Sequence, residues 1–138
     1  MASINEFRKA IEQQLALKQL KIEPWSGATR RSGNLLQINT QPIPTVLYVK
    51  ISNSSPGFWG LTRNQLDRLN RSNISWYAVL VARKSDTGYV FSSDEVNSRV
   101  AAGIFELSAD GDHKINENTD CNQGHFFHDL SELIDRII

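Results

Sequence analysis

The sequence predicts an α/β fold: a single domain over residues 1–138, a three-layer α/β/α sandwich around a mixed central sheet. Three observations predict it. The stretches TVLYVKIS (45–52) and SWYAVLVAR (75–83) are apolar on successive positions, the pattern of central strands covered on both faces. Between them LTRNQLDRLNRSN (61–73) places Leu66 and Leu69 at helical spacing, and strand, helix, strand implies a right-handed parallel crossover. Helical patterns before and after this unit supply the two covering layers.

The first helix begins at Ser3, with Glu6 three residues on as a capping box. Ile4, Phe7, Ile11 and Leu15 form its apolar stripe, and the pattern runs to about Leu20. KIEPWSGATRRSG (21–33) reads as a short strand and a turn broken by Pro24 and Gly27. NLLQIN (34–39) is a strand, and the prolines of QPIP (41–44) end its pairing because they lack an N–H. NSSPGFWG (53–60) reads as a loop, with Thr62 as the cap of the helix that follows. KSDTG (84–88) is a turn and YVFS (89–92) an edge strand. Residues 84–138 are expected to form a helix–hairpin–helix extension to a core over about 3–83. A second capping box at Ser92–Glu95 opens its first helix, with Val96 and Val100 on one face. A hairpin turns at Asp110–Gly111, and FFHDLSELIDRII (126–138) closes it with Leu130, Leu133, Ile134 and Ile137 inward.

With 138 residues, 40% hydrophobic and 22% charged, the chain can bury a core unaided. No run of about 18 apolar residues occurs, which argues against a membrane helix. The charged, amphipathic start lacks a secretory signal, and Cys121 is the single cysteine, so a cytoplasmic protein is expected. Net charge is zero, yet 12 of the 15 Lys+Arg lie in residues 1–84 and 11 of the 15 Asp+Glu in residues 85–138. Two readings follow: a basic working surface for an anionic partner, or two halves that attract each other within one fold.

The order over residues 3–83 resembles the core of the PD-(D/E)xK nuclease superfamily, the restriction-endonuclease-like fold. Gly33-Asn34-Leu35-Leu36 falls where that family has a glycine, an aspartate and apolar residues. Tyr48-Val49-Lys50 falls on its acid-x-lysine, Gln65 on a helix glutamine, and WYAVLVAR on the strand that follows. The resemblance implies two carboxylates that hold Mg²⁺, a hard ion preferring oxygen ligands. It also implies a lysine that positions the attacking water and neutralises phosphate. On this chain it makes Lys50 and Gln65 the catalytic candidates. Asn34 offers only a neutral oxygen, and Tyr48 a phenol that ordinarily ionises near ~10. No Asp or Glu occurs between Glu23 and Asp67. Mg²⁺ would therefore need acids recruited from Glu6, Glu12 or Asp67.

Arg30, Arg31, Asn34, Lys50, Trp59 and Arg63 are the candidate nucleic-acid contacts, joined by Arg68 and Arg71 along the helix. Phe58 and Trp59 either stack on bases or plug the core. Lys50 alone would more simply be a lysine whose stem lies along apolar surface. Cys121, His125 and His128 have a loosely zinc-like spacing, read as incidental. The expectation is a nuclease-like protein with a degenerate metal site that binds DNA or RNA without efficient cleavage. An active divergent Mg²⁺-dependent nuclease is one alternative. A non-catalytic interaction module, such as a homodimer joined through its basic and acidic halves, is the other.

Overall fold

The computed structural model describes residues 1–28 and 33–138. Helix α1 (Ile4–Ala16) is followed by strands β1 (Ile22–Pro24), β2 (Leu35–Ile38), β3 (Thr45–Ser52) and β4 (Phe58–Thr62). Helix α2 (Arg63–Arg71) and strands β5 (Ser75–Ala82) and β6 (Gly88–Ser92) come next. Then come α3 (Ser93–Ala101), β7 (Asp112–Asn116), the short α4 (Glu117–Asp120), β8 (Phe126–Phe127) and α5 (Leu130–Ile137). Six strands form a mixed sheet in the order β1-β2-β3-β5-β6-β8, and β4 pairs with β7 in a separate ladder. β3 and β5 are parallel, as the two doubly apolar runs require, while the other pairings are antiparallel.

The two faces of this sheet build two cores. On one face Phe7, Ile11 and Leu15 of α1 and Leu133, Ile134 and Ile137 of α5 cover Leu47, Val49, Val79 and Val81. On the other, Leu66 and Leu69 of α2, Val96 of α3, and Trp59, Leu61 and Ile115 of the β4–β7 pair cover Val46, Tyr48, Ala78 and Leu80. Strand residues alternate between the faces. Tyr48 and Lys50 therefore share the second face, away from α1.

Three elements differ from expectation. α1 stops at Ala16, because the chain turns through a left-handed Gln19 (φ 60°) and Leu20 N–H bonds back to the Leu15 carbonyl. Phe58–Thr62 is a strand that takes in the end of the expected loop (53–60) and the first two residues of the expected helical stretch, since β7 supplies it a partner. Residues 84–138 are no helix–hairpin–helix extension. β6 and β8 enlarge the central sheet, and α5 packs beside α1. β7 pairs chiefly with β4, leaving the expected hairpin only a bridge between Leu107 and His113. Both capping boxes are legible in the local sequence, although at Ser3 only the cap hydroxyl bond to Glu6 N–H is made.

Gly88 on β6 faces Val81 on β5 across the ladder. A Cβ there would lie 2.0 Å from the Leu80 carbonyl oxygen, a backbone atom that cannot swing aside. Gly88→Ala should cost about 2–3 kcal/mol by overpacking. Urea denaturation with the wild-type slope and a lower midpoint is the expected result.

Candidate functional site

The position where the resemblance places a metal-binding acid holds Tyr48, a residue only 2% exposed. Its hydroxyl oxygen accepts the Thr62 N–H at 3.0 Å, so it braces the junction of β4 and α2. Burial pushes the phenol above its ordinary pKa, and the nearby Asp112 carboxylate adds to the rise. A protonated phenol whose lone pair already meets an amide is a poor ligand for a hard cation. The carbonyl of Asn34 accepts the Val49 N–H at 2.8 Å. Asn34 therefore stands opposite Val49, one position out of step with the Tyr48–Lys50 face. Of the acids considered as substitutes, Glu6 and Glu12 ride on α1 across the sheet, and the Glu6 carboxylate accepts the Ser85 hydroxyl at 3.2 Å. Asp67 lies on α2, in a groove toward α3. Among the described residues no three Asp, Glu, His or Cys side chains are placed to hold a metal. The residues around Lys50 do not fit a two-carboxylate Mg²⁺ site.

Lys50 is half-buried and sits in register with Leu80. Its ammonium makes no ion pair among the described residues. Gln65 lies in the first turn of α2, with its side-chain oxygen buried and without a hydrogen-bond donor. An unsatisfied buried acceptor costs about 1–3 kcal/mol. No hydrogen bond joins Lys50 to Gln65. Trp59 is 2% exposed and its indole N–H donates to the Val81 carbonyl at 3.1 Å, so it fills the core and offers no face to a base. Phe58 points outward, 48% exposed, with the Lys114 ammonium 5.6 Å from its ring centre. Arg63 and Arg71 are exposed on α2 and Arg68 is half-exposed. Arg30 and Arg31 lie outside the described residues. The zinc-like triplet does not converge: His125 meets Glu95 at 2.7 Å, and His128 meets Glu132 at 3.1 Å. Cys121 is a thiol that burial pushes up to about 12.

A second cluster escaped the sequence reading. Past the ends of β3 and β5, an open cleft of about 430 Å³ is bordered by Pro56, Arg83, Tyr89, Glu117 and Cys121. Arg83 has φ 66°, a strained conformation for a side-chain-bearing residue. It is held by its N–H to the Ser52 carbonyl at 2.8 Å and by a guanidinium bond to the Ser54 carbonyl at 2.8 Å. The guanidinium grips Glu117 in a fork, with both contacts at 2.8 Å. Glu117 also accepts the Gly57 N–H at 2.6 Å and the Tyr89 hydroxyl at 2.7 Å. These donors, led by Arg83, hold the carboxyl at about 2. With both oxygens engaged, Glu117 is a clasp between β5, β6, α4 and the loop before β4. The arginine ending a buried strand was the one hint of it in the sequence.

No family model matches the sequence, and none of the curated proteins matches it. A solved structure does: Hjc, a Holliday junction resolvase from Archaeoglobus fulgidus, with a TM-score of 0.53 and 12% sequence identity. The match covers 83% of this chain and 89% of that one. Hjc has the PD-(D/E)xK architecture. This chain has the restriction-endonuclease-like fold. At that identity the likeness concerns the fold alone. No helix among the described residues is long and apolar enough to cross a membrane.

Proposed function

We propose that this chain binds nucleic acid through the basic surface of α2 and Lys50, on a nuclease fold that lacks efficient metal-dependent cleavage. The carrying observation is the unpaired basic charge. Among the described residues a single ion pair, Arg83–Glu117 at 2.8 Å, joins the basic half of the chain to the acidic half. Arg63, Arg68, Arg71 and Lys50 have no anionic partner among the described residues. Internal attraction of the two halves therefore leaves this charge available for phosphate. DNA is the first substrate class to test, because the solved protein of the same fold acts on DNA junctions.

The test is fluorescence anisotropy with labelled duplex DNA, a four-way DNA junction and duplex RNA across a salt series. Each neutralised phosphate contributes about −0.9 to the slope of log K against log salt, so about four contacts give roughly −3 to −4. Arg63→Ala/Arg68→Ala/Arg71→Ala should remove most of that slope and weaken binding at least about tenfold at low salt. Absence of affinity for all three probes at low salt sinks the proposal. Incubation with Mg²⁺ or Mn²⁺ should leave the strands intact. Metal-dependent cleavage that disappears in Lys50→Ala would favour the active divergent nuclease instead.

A further inference from the structure

We propose that the groove between α2 and α3 seats a backbone phosphate of the bound strand, gripped by Arg63 and by His113 in its protonated form. This rests on the nucleic-acid reading above and adds a residue and a pH dependence to it. The groove encloses about 330 Å³, with Arg63, Asp67, Val100, Leu107 and His113 among its walls. Arg63, in the first turn of α2, belongs both to this wall and to the basic surface of that helix. Two amides in its wall are already engaged. Asn70 and Asn97 hydrogen-bond each other in both directions, at 2.9 and 3.0 Å, and Asn70 also accepts the Trp76 indole N–H at 3.1 Å. Arg63 and His113 are the donors left for an anion, with the Asp67 carboxylate on the same wall.

His113 is oriented from behind. It lies on β7 opposite Leu61, just before α2 begins, and is 7% exposed. Its Nδ1 is 2.7 Å from the Phe105 carbonyl oxygen. A carbonyl oxygen only accepts, so Nδ1 carries a proton and Nε2 is the atom that gains or loses one. Among the described residues Nε2 has no hydrogen-bond partner, and it is not sealed from solvent. When neutral, Nε2 presents a lone pair, which repels a phosphate oxygen. When protonated it becomes a charged donor, and with the Arg63 guanidinium it gives the phosphate two charge-assisted contacts. Binding then takes up a proton.

The charged groups near the imidazole come from α2 and β7. From α2 the groove receives the charged side chains of Arg63 and Asp67. From α3, the groove receives only the uncharged Asn97 and Val100. On β7 itself, Asp112 and Lys114 occupy the alternate face of the strand, where Lys114 pairs with Asp110. Glu106 and Lys114 border a different groove, on the outer side of β7.

The experiment measures affinity for a rhodamine-labelled DNA duplex at about pH 6 and about pH 8, at constant ionic strength. Wild type should bind about fivefold to tenfold tighter at the lower pH. His113→Gln, checked for folding by circular dichroism, should bind equally at both. Arg63→Ala should be weaker at both. NMR titration of the His113 ring in the wild-type protein should show its protonated form favoured when duplex is added. Binding in which His113→Gln keeps the full pH dependence overturns this inference alone, as does an NMR titration that the duplex does not move. Absence of binding at either pH overturns it together with the nucleic-acid reading.

Discussion

Glu117→Ala is expected to destabilise the protein by about 3–4 kcal/mol, more than its place on a four-residue helix suggests. The carboxylate accepts two bonds from Arg83, one from the Gly57 amide and one from the Tyr89 hydroxyl. Alanine deprives the part-buried Gly57 N–H and Tyr89 hydroxyl of their acceptor, each costing about 1–3 kcal/mol, less where the cleft admits water. The Arg83 end is 37% exposed, and the freed guanidinium can turn to solvent, which keeps the loss below that of a fully buried pair. Glu117→Gln preserves the shape and should recover part of the loss. The pH dependence has a definite sign. The folded-state carboxyl titrates at about 2, against an ordinary 4.5. Its contribution is therefore complete above about 4.5 and fades as pH falls toward about 2. Guanidinium denaturation in that acid window should show wild type losing stability faster than Glu117→Gln. Parallel curves would remove the clasp from the account of acid unfolding.

The central strands and their order were readable because burial on both faces leaves an unmistakable apolar run, as in Thr45–Ser52 and Ser75–Ala82. Helix starts were readable because capping is local: Ser3 and Ser92 each accept the N–H three residues on. β4 was less so. Trp59 and Leu61 do alternate with the more exposed Phe58, Gly60 and Thr62, but Pro56, Gly57 and Gly60 punctuate the stretch like a loop. What makes it a strand is β7, whose Asp112–Asn116 segment lies far along the chain. Pairing at that separation has no local signature. Thr62 shows the same limit at a cap. It occupies the N-cap of α2, yet its hydroxyl donates to Asp112 at 3.1 Å across the ladder.

The site divides along the same line. That no acid lies between Glu23 and Asp67, on either side of Lys50, is a statement about residue identity, and the sequence contains it. Trp59 as a plug and Tyr48 as a brace are statements about what covers the sheet, which depend on the unforeseen β4–β7 pair. Glu117 depends on four donors brought from three separate stretches of chain: Gly57, Arg83 and Tyr89. His113 became a candidate only once its ring was seen anchored to Phe105 beside Arg63.

Tyr48→Glu, which puts a carboxylate where the resemblance expects one near Lys50, should fail to create a metal site and should cost about 4 kcal/mol or more at neutral pH. The new carboxylate would stand in a core closed by Trp59, Leu61 and Leu80. It would meet the field of Asp112, the same like-charge influence that helps raise the phenol's pKa. It would also remove the oxygen that takes up the Thr62 N–H. Tyr48→Phe separates these effects, since it loses only that hydrogen bond and should cost about 1–2 kcal/mol. The glutamate variant should regain stability as pH falls and its buried carboxyl becomes neutral, the reverse of the Glu117 effect. Added Mg²⁺ should not raise its melting temperature, because ligand-linked stabilisation requires binding to the folded state. A Mg²⁺-dependent rise would mean that Asp67 or Asp112 can swing to complete the site. In that case the fold retains the geometry of a nuclease centre, and a single residue separates it from metal binding.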